Sequence, residues 1–191
     1  MNITRRLVKI IFLMTLMGAL LAVTILSAAT QRAIKKYPIP ENGTLELNVP
    51  TVWKSEVHKP QTNMPPTIIF NPPQGNDFQV MITVMWSKIG DQAFSSREKV
   101  RALVEKNGQQ LLSNAVEGKI VLQEIKGYSN SGYYFSITDK APDPGEYRYM
   151  TRGSIGVGSL LLNFTILHRV KDSQIVQEAL AVVREAKQTS K

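Results

Sequence analysis

The chain has 191 residues, no cysteine, two histidines and a formal net charge of +8. Its length suits one domain of ordinary size, and the lack of cysteine excludes a disulfide framework, a thiol nucleophile and a thiolate metal site. Basic residues are interspersed with acidic ones, a pattern typical of a solvated surface rather than a nucleic-acid-binding stripe.

The first 29 residues predict an export signal. The basic residues Arg5, Arg6 and Lys9 come first. The uncharged apolar run Ile10–Leu26 follows, and small residues then lead to a cleavage site after Ala29. At 17 residues the run also approaches the length that spans a bilayer, so a retained N-terminal signal anchor is the alternative. Cleavage would leave a chain with a net charge of +5. We therefore expect a periplasmic or secreted protein or, alternatively, an inner-membrane protein tethered by this segment.

Residues 30–40 are polar and basic and end in two prolines, which predicts a linker before a single domain at 41–188. Strand signals recur along that domain. They fall at 44–49, 53–58, 67–71, 78–86, 118–127, 133–138, 146–155 and 159–170. Because prolines flank 67–71, we expect this strand near a sheet edge, whereas the apolar 78–86 fits the sheet interior.

Helical spacing of apolar residues appears twice, over 95–115 and over 172–187. Ser95 followed by Glu98 has the spacing of a capping box, and Asp172 or Ser173 is the N-cap expected for the second helix. Sequential strands joined by short turns, with two helices, predict an α+β fold around an antiparallel sheet.

The glycine-rich stretch "GSIGVGS", residues 153–159, has the composition of a phosphate-binding loop. Such a loop needs a helix after it, whereas the residues that follow alternate as a strand. We therefore predict a hairpin turn at Gly156–Gly158, and a bulge or close contact at Gly153.

Candidate chemistry is sparse. His58 and His168 each stand alone, without metal-ligand spacing, so no metal or cofactor is expected. The acids Asp139, Asp143 and Glu146 surround a turn and match no calcium-loop spacing, which favours solvated turn residues. No serine has the flanking residues of a nucleophile elbow, and no catalytic residue is assigned.

The aromatic residues suggest two binding sites. Trp53, Trp86 and Tyr133 lie on predicted strands and could line a groove, with core packing as the alternative. Arg148, Tyr149 and Arg152 could form a partner-contact surface, since Tyr and Arg are enriched in such surfaces.

The segment "LNVPTVW", residues 47–53, resembles the start of the PsbP/Mog1-like superfamily, with Val49, Pro50 and Trp53 as its motif. The element order of nearly the whole mature chain is similar as well. The resemblance implies an α/β/α sandwich with a central antiparallel sheet and two main flanking helices. The superfamily consists mostly of binding or assembly factors, including bacterial envelope proteins of the DcrB-like group. Many DcrB-like proteins are lipoproteins, but this chain lacks the cysteine for lipid attachment.

The sequence thus favours a non-enzymatic, exported envelope protein that acts as a binding or assembly module for a protein partner. A small-ligand carrier with an aromatic groove is the first alternative. An unrecognised hydrolase is the second, because a catalytic triad is assembled in space rather than in sequence.

Overall fold

Ten strands and two main helices build the part of the chain that the structure describes. This computed structural model describes residues 30–58, 64–87, 89–91, 93–127 and 131–189, so the expected export segment lies outside it. In chain order the strands are β1 (Arg32–Pro38), β2 (Thr44–Pro50), β3 (Lys54–His58), β4 (Thr67–Asn71), β5 (Phe78–Trp86), β6 (Gln123–Lys126), β7 (Ser131–Thr138), β8 (Tyr149–Val157), β9 (Leu160–His168) and β10 (Lys187–Thr189). The helices are α1 (Arg97–Leu111) and α2 (Gln174–Arg184), with a short 3-10 helix at Leu112–Asn114. None of the described helices is long and apolar enough to cross a membrane.

Seven strands form the main sheet, in the order β3-β4-β5-β9-β8-β7-β6, and each neighbouring pair is antiparallel. A smaller sheet has the order β1-β2-β10. The mostly antiparallel sheet with two helices confirms the coarse α+β prediction.

The hairpin of β8 and β9 lies at the middle of the main sheet. Its register runs from Tyr149 opposite His168 to Val157 opposite Leu160. Gly158 has a φ of 59°, a left-handed conformation that glycine adopts without steric cost. The glycine-rich stretch is therefore a hairpin turn, as predicted. The turn lies later than expected, because Gly156 still pairs with Leu161 inside the strands.

The two faces of the main sheet carry different layers, because side chains alternate along each strand. On the first face, which we call the α2 face, β9 residues such as Leu162, Phe164 and Ile166 share one apolar cluster with α2 and β2. On the second, the α1 face, Tyr133, Phe135 and Ile137 of β7 share another cluster with α1.

Both helices begin at serine caps. Ser96 accepts a hydrogen bond from the backbone N–H of Lys99, and Ser173 accepts one from Ile175. Ser96, rather than Ser95, is therefore the cap of α1. The buried residues Ile175, Ala179 and Val183 recur every four positions and direct one side of α2 towards the sheet.

One sequence expectation is corrected. Residues 30–40 do not form a linker, because Arg32–Pro38 is β1 and pairs along its whole length with β2. Residues Thr67–Asn71 form β4, which lies next to the edge strand β3 and so is near a sheet edge, as expected. The flanking prolines end this strand without blocking either neighbour, since they lie outside its paired residues.

Candidate functional site

A polar cleft of about 390 Å³ lies on the α2 face, between the N-terminal end of α2 and the strands β6, β7 and β8. We call it the α2 groove. Its lining includes Glu117, Tyr134, Tyr149 and His168 from the sheet side and Gln177 from the helix. The rest of the α2 face is largely apolar, so a cluster of polar side chains here needs an explanation.

The register of the strands determines which side chains form the floor of the groove. Thr138 of β7 pairs with Tyr149 of β8, which pairs with His168 of β9, so the three lie in one row across the sheet. Two strand spacings separate the ends of the row, which places Thr138 and His168 about 10 Å apart. Ser136 and Thr151 form the adjacent row.

Most polar side chains in this floor are hydrogen-bonded to a neighbouring side chain. The hydroxyls of Ser136 and Thr151 are 2.7 Å apart. The hydroxyl of Tyr134 donates to the Gln123 side-chain oxygen at 2.7 Å. Burial raises the pKa of Tyr134, which keeps its hydroxyl protonated and able to donate. These pairs are therefore fixed parts of the floor rather than free ligand-binding groups.

His168 is the most deeply buried titratable side chain of the groove, with 5% of its surface exposed. Its Nδ1 lies 2.8 Å from the carbonyl oxygen of Val170. Since a carbonyl can only accept, Nδ1 carries the proton of this bond. The ring stacks on Tyr149, with centroids 5.4 Å apart and planes 20° apart. No hydrogen bond joins Nε2 to a described residue, and the imidazole lines the groove.

Glu117 supplies a carboxylate at the other end of the row. Its two oxygens accept hydrogen bonds from the backbone N–H and the hydroxyl of Thr138, both at 2.8 Å. Burial raises the pKa of Glu117, but the hydrogen bonds from Thr138 and the Glu117 backbone outweigh it, so the pKa lies below its ordinary value. The carboxylate is therefore charged at neutral pH. Within the described residues, no cation forms an ion pair with it.

The helix side of the groove is more exposed. Lys171 and Asp172 lie at its rim, with opposite charges on adjacent residues. The Ser173 side chain accepts from Ile175 N–H and its carbonyl from Val176 N–H. The first turn of α2 thus already has partners for two of its amide groups.

The groove does not contain an assembled catalytic or metal centre in the described part of the chain. None of its hydroxyls is hydrogen-bonded to His168, so a nucleophile–base pair is not formed. The described residues contain no group of three or more His, Cys, Asp or Glu side chains that could hold a metal ion. What the arrangement offers is binding, through hydrogen-bond acceptors and two aromatic rings.

The expected aromatic groove does not form. Trp53 is buried in the core against Phe78, with ring centroids 5.3 Å apart. Trp86 is at the opposite end of β5 from Phe78, about 27 Å along the strand. Tyr133 lies on the α1 face, where its hydroxyl accepts a hydrogen bond from Arg97 at 2.8 Å. Their positions before β3, at the end of β5 and on the α1 face of β7 explain why the three side chains lie apart.

The expected contact surface is divided as well. Arg148 is exposed just before β8. Tyr149 is on the α2 face and lines the groove. Arg152 is three residues further along the strand, so its side chain points to the α1 face. Of the three residues, the structure places only Tyr149 in the candidate site.

Glu117 was not predicted as a site residue, and His168 was predicted to be a polar group at a strand end. One sequence signal could have indicated the groove: Ser136, Thr138 and Thr151 are polar residues that alternate in step along strands otherwise rich in apolar residues.

A larger cleft of about 800 Å³ lies along β1, β2 and β10. One pair of its charged side chains is in contact: Arg32 lies 3.7 Å from the carboxylate of Glu185, which also accepts a hydrogen bond from Asn48. None of the described polar side chains that line it is buried, whereas buried Thr151 and His168 line the α2 groove. We therefore consider the smaller α2 groove the better candidate site.

The sequence matches no known protein family and no curated protein. The structure, however, is similar to solved ones. One is the cyanobacterial PsbP protein CyanoP from Synechocystis sp. PCC 6803, with a TM-score of 0.51 and 10% identity over 85% of this chain and 96% of that one. Another, from Bacteroides thetaiotaomicron VPI-5482, has a TM-score of 0.50 and 14% identity over 82% of this chain. This chain spans 49% of the Bacteroides chain. Such similarity establishes a PsbP-like fold and nothing beyond the fold.

Proposed function

We propose that this protein is a non-catalytic, exported envelope protein that binds a protein partner through the α2 groove. The observation that carries the proposal is the groove itself. It places the Glu117 carboxylate, which forms no ion pair among the described residues, and the buried His168 imidazole in one cleft, together with the half-buried ring of Tyr149.

The fold similarity supports a binding role, because the PsbP/Mog1-like superfamily consists mostly of binding or assembly factors. We infer that the chain is a distant, DcrB-like envelope member with the α/β/α sandwich of that superfamily. Export is supported by the basic and apolar segment before Ala29. The intact mass of the native protein tests this part: a mass starting near Thr30 in the soluble periplasm indicates cleavage, whereas a full-length mass in membranes indicates an anchor.

Photo-crosslinking in living cells tests partner binding. A photoreactive residue replaces Gln177, which is exposed at the groove rim, and in a matched control it replaces Lys106, which is exposed on α1. We expect a discrete adduct from position 177 that the control does not give, and that disappears in the variant Tyr149→Ala. Identical adducts from both positions would overturn the proposal.

A small-molecule carrier is the second candidate, because a cleft of about 390 Å³ falls within the size range of small-ligand sites. Native mass spectrometry of protein purified from its own host distinguishes the two. A stoichiometric small-molecule adduct that Tyr149→Ala removes would favour the carrier over the partner-binding module.

A further inference from the structure

We propose that the α2 groove recognises a cationic side chain, lysine or arginine, presented by the partner. The inference rests on the proposed function and adds the chemistry of recognition to it. It follows from the charge of Glu117 and from the hydrogen-bonding groups of the neighbouring row, which consists of Thr138, Tyr149 and His168.

The first argument is electrostatic. Glu117 is only partly exposed, and its charge is balanced by hydrogen bonds from Thr138 rather than by a cation in the described chain. A carboxylate held in a groove in this way favours a positively charged ligand.

The second argument is hydrogen bonding. Because Nδ1 of His168 donates to Val170, the neutral ring presents the lone pair of Nε2, which is an acceptor. Glu117 is a second acceptor in the groove, beside Thr138 at the end of the row opposite His168. Ammonium and guanidinium groups carry several donors and no acceptor, so they complement acceptors of this kind.

The third argument concerns Tyr149, which lies between the two acceptors in the row. One face of its ring stacks on His168. An aromatic ring attracts a cation placed over its π face. The ring would therefore add to the preference for a cation over a neutral polar side chain.

Two features of the groove favour an anion instead, namely Lys171 and the N-terminal end of α2. Lys171 is exposed and adjacent to the equally exposed Asp172, so solvent and the neighbouring charge weaken its effect. The helix end corresponds to about half a positive charge, and Ser173 already accepts hydrogen bonds from two of its amides. The full charge of Glu117 outweighs these contributions.

An NMR titration of the purified full chain in non-ionic detergent tests the inference without a protein partner. The probes are Nα-acetyl-lysine methylamide and, as its anionic counterpart, Nα-acetyl-glutamate methylamide, at matched ionic strength. The chain has only two histidines, and the exposed His58 on β3 is an internal reference for the buried His168. We expect the lysine probe to shift the ring signals of His168 at millimolar concentration and to leave His58 unchanged.

Variants identify the groups responsible. Glu117→Gln should weaken binding of the lysine probe about tenfold, whereas Glu105→Gln, at an exposed site on α1, should not change it. If Glu117→Gln does not fold, the rim variants Gln177→Glu and Gln177→Lys take its place, and they should strengthen and weaken binding respectively.

If only the glutamate probe shifts the ring signals of His168, the proposed charge preference is wrong. If neither probe shifts them, the proposed site is wrong. Because neither result depends on the cellular partner, both are distinguishable from a failure of the crosslinking experiment. A groove-specific crosslink without binding of the lysine probe would support partner binding and refute cation recognition.

Discussion

The imidazole of His168 lies against the phenol ring of Tyr149, with 5.4 Å between the ring centroids. The two residues are direct cross-strand partners at the end of the β8–β9 hairpin. This stacking fixes the imidazole from one side, and the hydrogen bond between Nδ1 and Val170 fixes it in its plane. The position of Nε2 in the groove is therefore set by the hairpin register.

The stacked pair gives the first prediction. Tyr149→Ala removes a half-buried ring from the sheet and should reduce the free energy of unfolding by about 2 kcal/mol. Tyr149→Phe keeps the ring and should cost less than about 0.5 kcal/mol, because the hydroxyl forms no hydrogen bond among the described residues. Urea unfolding followed by tryptophan fluorescence measures both variants.

The same variants change the environment of His168. Loss of the ring current in Tyr149→Ala should move the His168 ring signal, while the signal of the distant His58 stays in place. An unchanged His168 signal would mean that the two rings are not stacked in solution.

Arg169 gives the second prediction, because it joins two loops that lie far apart in sequence. Its guanidinium donates to the carbonyl oxygens of Asn76, Gly145 and Glu146, and it lies 4.9 Å from the centroid of the Tyr147 ring. A lysine cannot reproduce this planar set of donors. Arg169→Lys should therefore destabilise the protein by about 1 kcal/mol and speed amide exchange in residues 141–148.

Arg148→Lys is the matched control, since the Arg148 side chain forms no hydrogen bond or ion pair among the described residues. Hydrogen exchange measured by mass spectrometry compares the two variants with the unchanged protein. Equal exchange in the 141–148 loop of both would show that Arg169 does not hold it.

The third prediction concerns Gly153 of β8, which lies between Tyr134 and Phe164 in the sheet. A Cβ at this position would overlap the carbonyl oxygen of Tyr133 and the Phe164 ring. Neither a backbone carbonyl nor a buried ring yields easily, so Gly153→Ala should cost about 3 kcal/mol or prevent folding.

Gly118→Ala is the control, because a Cβ there meets no atom within 4 Å. Its effect should stay within about 0.5 kcal/mol. Thermal unfolding of the two variants provides the comparison, and a similar melting temperature for both would contradict the close packing of β8 against β7 and β9.

Sequence pattern predicted the strands whose apolar residues alternate, and the close contact at Gly153. It failed for β1, where Lys35 occupies an inward position opposite Leu47. The Lys35 ammonium is satisfied by the Ser55 hydroxyl at 2.7 Å, a contact between residues 20 positions apart. A strand that depends on backbone pairing and on such a distant partner has no periodic signal of its own.

The α2 groove was not predicted from the sequence, for a related reason. Thr138, Tyr149 and His168 are adjacent only because two hairpins bring them into one row. A shift of one residue in either register would place Tyr149 on the opposite face of the sheet. Polar residues in a strand can be recognised from sequence, but their assembly into a site requires the register.

The last prediction is the pH dependence that Glu117 contributes. Its pKa in the folded protein is lower than its ordinary value, because hydrogen bonds from Thr138 outweigh the effect of burial. A lowered folded-state pKa means that the carboxylate stabilises the fold fully above the unfolded-state pKa of about 4.3. This stabilisation is lost as the pH falls through the lower, folded-state value.

Glu117→Gln removes the titrating group but keeps one acceptor oxygen for Thr138. We expect the variant to be less stable than the unchanged protein at about pH 7, and the difference to shrink as the pH falls through the lowered folded-state pKa and the native carboxylate is protonated. Glu105→Gln, at an exposed position on α1, controls for the general change in net charge. Urea unfolding across this pH range measures the difference. If the difference in the free energy of unfolding stayed constant down to the lowest pH, Glu117 would act through the shape of its side chain rather than through its charge. The electrostatic argument for a cationic ligand would then lose its basis.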